Sequence, residues 1–265
     1  MIIWAESSVG THTPTNQDSV FAELLHDQRF GRMVFAVVAD GMGGMDRGEL
    51  ASATAVDRFV TWLRRADLSE LTPGWLRREW GEIASQTHQS MLAYAGREGI
   101  ALGSTVTVLL LAQGRYHIMN LGDTRCYEIT DRIRQITEDH SLVAQEVRRG
   151  LLSPDEARAD ARQNVLLQCL GAGGAIKPDF FVGEAPTDAK YLLCTDGLRH
   201  YISDDEIWQV LSRGTATPEQ VKELIALNRQ RGETDDISVV LVQNSPQGGT
   251  NKLAHAAAPG GSVTR

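Results

Sequence analysis

The sequence predicts an α+β fold, and three observations carry that expectation. Strand-like apolar runs stand near both ends of the chain. Amphipathic helix patterns come in groups instead of alternating strictly with the strands, as a doubly wound parallel sheet would require. The central strand runs follow one another across short turns, which suits antiparallel neighbours.

In chain order, residues 33–39 (Met-Val-Phe-Ala-Val-Val-Ala) form a continuous apolar run, expected of a buried strand. Residues 48–66 place Leu50, Ala53, Val56, Val60 and Leu63 on one helical face. Residues 76–94 do the same with Leu76, Trp80, Ile83, Thr87, Met91 and Tyr94. Residues 105–112, 115–121 and 125–129 read as an antiparallel meander. Ser153-Pro-Asp-Glu156 caps a short helix inside a polar, helical insertion at about 140–175, expected to lie over the surface as a flap. Residues 190–195 and 237–242 read as two further strands. Between them Ser203-Asp-Asp-Glu206 opens a helix through Ile207, Val210 and Leu211, and Thr217-Pro218-Glu219-Gln220 opens another that Gly232 stops. The expected domain is 1–243, followed by a flexible Gly/Pro/Ser-containing tail at 244–265.

With 265 residues the chain can bury a full core in one large domain or two small ones. Apolar and charged fractions of 42% and 23% argue against disorder or a coiled coil. The apolar runs are too short to span a bilayer, and the first residues lack the basic start and long apolar stretch of a signal peptide. A cytoplasmic protein without membrane insertion is therefore expected. Cys126, Cys169 and Cys194 form no Cys-x-x-Cys pair, which argues against a zinc knuckle, a redox motif or a disulfide framework. A net charge of −8 argues against nucleic-acid affinity, but not against an anionic group beside a bound cation.

Two strands end alike, in Val37-Val38-Ala39-Asp40-Gly41 and Leu192-Leu193-Cys194-Thr195-Asp196-Gly197. A strand holds such an Asp rigidly, and the Gly permits a sharp turn with its carbonyl close to a bound ion. Asp235-Asp236 precedes the last strand, Asp123 sits at a turn between meander strands, and Asp18 precedes an early strand. Carboxylates gathered at strand ends, without His or Cys at ligand spacing, suit Mg²⁺ or Mn²⁺ better than zinc. A pair of such ions roughly 3.5–4 Å apart can bind a phosphoryl oxygen and activate a water. A lone Asp-Gly is more often a turn than a ligand, so pattern alone leaves both readings open. The glycine runs at 41–44 and 171–174 lack the final Gly of a dinucleotide loop, and neither a P-loop nor a Gly-x-Ser-x-Gly elbow occurs. The seven histidines show no metal-ligand spacing, and His140 is the one placed to matter, at the start of the flap.

Asp40-Gly-Met-Gly-Gly44 followed by Gly48-Glu-Leu-Ala-Ser52 resembles the second motif of the metal-dependent protein phosphatases (PPM, the type 2C Ser/Thr phosphatases). Gly103-Ser-Thr105, Leu121-Gly122-Asp123-Thr124-Arg125, Ile136-Thr-Glu-Asp-His-Ser141, Leu192-Leu-Cys-Thr-Asp-Gly-Leu198 and Thr234-Asp-Asp-Ile-Ser238 resemble that family's later motifs, in family order. The resemblance runs from Val9 to about Val242 and is of the bacterial type. It implies a central β-sandwich of two antiparallel sheets flanked by helices on both faces, with two or three Mn²⁺ or Mg²⁺ ions at one end. It implies that Asp40 bridges two ions, that Gly41 offers its carbonyl, that Asp196 and Asp235 complete the binuclear site, that Asp123 helps hold a third ion, and that Asp18 orders metal-bound water. The implied reaction is direct attack of a metal-activated water on phosphoserine or phosphothreonine, without a phosphoenzyme. The implied partners are phosphorylated proteins and a cognate Ser/Thr kinase, with the chain acting as a monomer.

Three positions depart from the family pattern. Thr13 stands where a phosphate-clamping Arg is usual, and a hydroxyl cannot replace a planar charged fork. His12 and the flap's Arg162 are the candidates to compensate. Met45 stands where bacterial relatives usually carry a His, a natural proton donor whose loss typically costs about 10²–10⁴-fold. Gln17 replaces a frequent Glu but keeps a carbonyl oxygen. These departures predict a metal-loaded enzyme slow on small aryl phosphates. The competing reading is a weak or inactive phosphatase-like module that binds phosphoproteins or regulates a kinase. Thr13→Arg should raise kcat/KM on a phosphothreonine peptide; an unchanged or lower value would show that another group already holds the phosphate.

Overall fold

The computed structural model describes residues 1–11, 14–42 and 47–245. Its elements are β1 (Ile2–Ser8), β2 (Asp18–Asp27), β3 (Gly31–Asp40), α1 (Gly48–Arg65), α2 (Pro73–Glu98), β4 (Val106–Ala112), β5 (Arg115–Leu121), β6 (Arg125–Ile129), β7 (Ile133–Gln135), α3 (Leu142–Arg148), α4 (Pro154–Ala159), β8 (Asp179–Glu184), β9 (Lys190–Cys194), α5 (Asp204–Leu211), α6 (Pro218–Gln230) and β10 (Ile237–Gln243). The strands form two five-stranded antiparallel sheets, ordered β1-β10-β9-β6-β7 and β2-β3-β4-β5-β8.

Strand alternation explains the layering. On β3, Val34, Ala36 and Val38 face the other sheet, where they meet Cys126, Tyr191, Leu193, Val240 and Val242. The intervening Met33, Phe35, Val37 and Ala39 face α1 and α2. With both faces covered, the strand loses the polar alternation of a half-exposed antiparallel strand and reads as an unbroken apolar run. The other sheet does the same, packing Leu192, Val239 and Leu241 against Ile207, Leu211, Val221 and Leu224 of α5 and α6. The result is the four-layer αββα sandwich that the resemblance implies.

The helical layer over β3 is aromatic. The Phe35 ring centroid lies 6.0 Å from that of Trp62 and 6.3 Å from that of Trp80. Burial of such a side chain contributes about 2–3 kcal/mol, and ring pairing adds about 0.5–1.5 kcal/mol. α2 begins where Thr72 Oγ1 accepts from the Trp75 N–H at 3.1 Å and Pro73 occupies the first turn.

Three sequence expectations need correction. The meander does not continue into β6. β4 and β5 pair in one sheet, but β6 pairs with β7 and β9 in the other. Residues 122–124 therefore cross between sheets, aided by Gly122 at φ +112°. On α1 the buried face runs through Ala51, Ala55, Phe59 and Leu63, while Ala53 is exposed. The dense packing against β3 selects the small and aromatic residues over the wider aliphatic stripe. The flap is only partly helical, with α3 and α4 of seven and six residues. Its base does not merely lie over the surface, because Ser104 and Leu170 exchange backbone hydrogen bonds of 3.1 and 2.8 Å and Leu170 is buried. The expected tail is described only at Asn244 and Ser245; residues 246–265 lie outside the described residues. Among the described residues no helix is long and apolar enough to cross a membrane.

His117 on β5 is buried, and burial together with Arg115 pushes its imidazole down to about 4. A base whose folded pKa lies below its unfolded value of roughly 6.5 has no effect at higher pH and destabilises the fold as pH falls toward the folded value. Between pH 7 and pH 5 this one group should remove about 2 kcal/mol of stability. Urea unfolding at the two pH values should show His117→Gln losing less than wild type by that amount; equal losses would mean that the folded protein protonates His117 freely.

Candidate metal centre

In an antiparallel ladder the end of one strand lies beside the start of the next, so several strand termini meet at one end of the sandwich. Asp18 opens β2 and pairs across the ladder with Asp40, which closes β3. β9 runs out through Thr195 into a 3₁₀ turn that begins with Asp196, and β10 starts at Ile237 just after Asp235 and Asp236. Asp123 lies on the crossing from β5 to β6.

Each acid is fixed by its backbone. The Asp40 N–H donates to Thr105 Oγ1 at 3.0 Å and its carbonyl accepts from the Thr105 N–H at 2.9 Å. Thr105 Oγ1 lies 2.5 Å from Thr124 Oγ1, which ties this strand end to the residue after Asp123. Gly41 and Gly197 were expected to permit sharp turns. Neither has a positive φ. They are required by close approach instead: a Cβ on Gly41 would run into the Gly48 carbonyl, and one on Gly197 into the Asp236 carbonyl. The Gly41 N–H and Ser52 Oγ both donate to the Gln17 carbonyl, at 3.0 and 2.5 Å, so the loop before β2, the end of β3 and α1 converge there.

The two neighbouring acids at the start of β10 divide their work. Asp236 accepts from the Gly10 N–H at 2.7 Å and the Gln17 N–H at 2.6 Å, so it pins the N-terminal loop. Asp235 offers an oxygen to a cluster with Asp196 and His200, whose ligand atoms all lie within 4.8 Å of one another.

The electrostatics at this end are unfavourable without a cation. Burial, reinforced by Asp18, Asp196, Asp123 and Asp235, pushes Asp40 well above the usual carboxylate range. Burial, with Asp236 and Asp196 acting the same way, raises Asp18 against the Thr195 Oγ1 hydrogen bond of 2.9 Å. Burial and Asp196 raise Asp235 as well. Asp196 goes the other way. Burial opposes its ionised form, yet His200 and Arg199 overcome that and hold it at about 2. Its Oδ1 is buried without a hydrogen-bond partner. Ionised, partnerless carboxylate oxygen beside acids that cannot all ionise together is the environment a hard divalent cation satisfies.

His200 was missed by sequence reasoning. Its Nδ1 lies 2.8 Å from Glu233 Oε2 and its Nε2 3.4 Å from Asp196 Oδ2. Burial disfavours its charge, but the two carboxylates prevail and raise it to about 10. Glu233 Oε1 in turn accepts from the Thr234 and Asp235 N–H groups, both at 2.8 Å, and orients the Asp235 loop. The Asp-x-x-x-His spacing after β9 was the available signal, though across a 3₁₀ turn it names no shared face. His140 is structural: its Nδ1 accepts from the Gly122 N–H at 3.2 Å, so Nε2 carries the hydrogen that it donates to Asp179 Oδ2 at 3.0 Å.

Arg162 is not free to clamp phosphate. Its fork binds Glu146 at 2.8 Å and Asp160 at 2.7 Å. His12, Thr13 and Met45 lie outside the described residues. Asp123 is buried, and its Oδ2 accepts from Arg199 Nη2 at 2.8 Å.

A four-layer antiparallel sandwich with aspartates converging at one end presents oxygen atoms of the kind that hard divalent ions take. The chain belongs to the protein phosphatase 2C family, which it matches over residues 11–232. It is 34% identical over 216 residues to the serine/threonine phosphatase stp of Listeria welshimeri, covering 79% of this chain and 84% of that protein. The crystal structure of the serine/threonine phosphatase Stp1 from Staphylococcus aureus superposes with a TM-score of 0.80 at 28% identity, covering 92% of this chain and 95% of that one. The catalytic domain of the serine/threonine protein phosphatase PstP, solved with two manganese ions, gives a TM-score of 0.71 at 26% identity over 91% of this chain and 96% of that one.

Opposite effects are expected from the adjacent acids. Asp236→Ala should lower the stability of the metal-free protein by about 2–4 kcal/mol, because two N–H groups lose a charged acceptor. Asp235→Asn should leave it unchanged or raise it, because like-charge repulsion is relieved. Denaturant unfolding of both variants without metal checks the contrast, and a destabilised Asp235→Asn would contradict it.

Proposed function

We propose that this chain hydrolyses phosphoserine and phosphothreonine in proteins, with Mn²⁺ or Mg²⁺ held by Asp40, Asp196, Asp235 and the Gly41 carbonyl. The convergence of these acids, with Asp196 Oδ1 left without a partner, is the observation that carries the reading. Membership of the protein phosphatase 2C family supports it, as do the two manganese ions of the PstP domain. Divalent ions bound there supply Lewis acidity toward phosphoryl oxygens and lower the pKa of a water.

The chain's own residues do the positioning. Asp40, fixed by Thr105 through both its N–H and its carbonyl, presents its carboxylate at the mouth of the sandwich. Asp18, steadied by Thr195 Oγ1, lies beside it and accepts a hydrogen bond from the attacking water, aiming its lone pair at phosphorus. Glu233 holds both His200 and the Asp235 loop in register. The substrates are proteins phosphorylated by a Ser/Thr kinase, and the flap bordering this end contributes to their selection.

Phosphate release from a phosphothreonine peptide should require added manganese, stop on chelation, and fall to background in Asp40→Ala and Asp196→Ala. Metal-independent release, or turnover surviving either substitution, would remove this reading; binding of the phosphopeptide without turnover would favour the non-enzymatic module.

A further inference from the structure

The buried acid Asp123 differs from Asp18, Asp40 and Asp235 in having a permanent cation in direct contact. Arg199 Nη2 lies 2.8 Å from Asp123 Oδ2 and 3.4 Å from the Asp123 carbonyl. The same nitrogen is 3.9 Å from Asp139 Oδ2, but Asp139 already has a closer partner. Arg125 grips it through Nε at 2.9 Å and Nη2 at 2.7 Å, and Gln135 Nε2 adds a third contact at 3.0 Å. Two guanidinium groups and two carboxylates thus form a charge-neutral, largely buried network, within which Arg199 is the partner left for Asp123. Arg199 Nε is itself buried without a hydrogen-bond partner, so the fork has been brought here despite a desolvation cost.

The element that presents Arg199 is the one that presents Asp196. Both belong to the 3₁₀ turn after β9, and the Arg199 N–H closes that turn on the Asp196 carbonyl at 2.8 Å. The backbone of Arg199 is therefore fixed beside Asp196, and its guanidinium reaches Asp123 from there. An arginine keeps its charge at any pH the protein survives. A divalent ion approaching Asp123 would compete with Arg199 for Oδ2 and, on either oxygen, meet a positive charge within a few ångströms, at a place where screening by water is weak.

We propose that Arg199 is a built-in cation that withdraws Asp123 from metal binding, so that the chain assembles a two-ion centre and no third site. This rests on the reading in which Asp40, Asp196 and Asp235 hold two ions, and it departs from the third-ion role that the family resemblance implies for Asp123. The permanent charge neutralises Asp123 without exchange with solvent. It cannot generate a nucleophile, because a guanidinium has no coordination position for water.

The test is a count of bound manganese per chain, by equilibrium dialysis with elemental analysis of the full-length protein, at manganese concentrations rising into the millimolar range. Wild type should saturate at two ions. Asp123→Asn, which keeps side-chain size and leaves Arg199 in place, should also saturate at two. Arg199→Gln should gain a third, weaker ion, and the double variant Asp123→Asn/Arg199→Gln should return to two. A wild-type count of three that falls to two in Asp123→Asn would overturn the proposal and leave the phosphatase reading standing. The same holds if Arg199→Gln folds, by its far-ultraviolet spectrum, and gains no ion. If that variant does not fold, the comparison of wild type with Asp123→Asn still decides. A wild-type chain that binds no manganese would remove the two-ion reading and this proposal with it, an outcome the other counts cannot produce.

Discussion

Repulsion between carboxylates held together by β-ladders governs this molecule. Asp18 and Asp40 face each other across a strand pair, and Asp196 and Asp235 arrive from the other sheet. The side chains cannot separate without breaking ladders that are anchored by two fully buried sheet faces. Apolar packing therefore supplies the stability that the charged end consumes. Any cation that binds this end of the native chain and not the unfolded one adds to stability by mass action. Function and folding are linked there through the same oxygens.

The charges at the margin are handled differently from those at the centre. Arg125 and Arg199 neutralise Asp139 and Asp123, and His200 lies between Asp196 and Glu233. Asp18 and Asp40 have other acids as their nearest charged influences. Internal cations thus ring a core of carboxylates whose compensation must come from solution. The ring confines the negative potential, and with it the place where an ion can settle.

How much of this was legible in the sequence follows from burial. The six strands marked by apolar runs, β3, β4, β5, β6, β9 and β10, are the inner strands of the two sheets. The four edge strands are β1, β2, β7 and β8. Only β2 was anticipated, and without bounds. β1 and β8 hold no fully buried residue, and β7 has three residues. An edge strand whose apolar side chains are only partly covered does not impose the apolar run that betrays an inner one. The candidate site shows the same divide. Acids at the ends of inner strands were visible because the strand pointed to them. His200, Glu233 and Arg199 were not, because turns and loops position them and no periodicity survives there. The Asp-Gly pairs were found for the wrong reason, since crowding by a neighbouring carbonyl, and not turn geometry, demands glycine at both.

The flap leaves the sandwich beside β7, at the edge of one sheet, and returns through β8, at the edge of the other. Both of its footings are short backbone exchanges with segments that also carry the acid centre. His140 and Gly122 meet at one footing, and Leu170 and Ser104 at the other, where Ser104 also bridges to Gly41. Among the described residues, the stretch between them makes no strand pairing with either sheet beyond these points. The span is thus jointed to the acid centre through its backbone ends, so that strain arising between residues 141 and 169 reaches Gly41 and Gly122 only through those two joints.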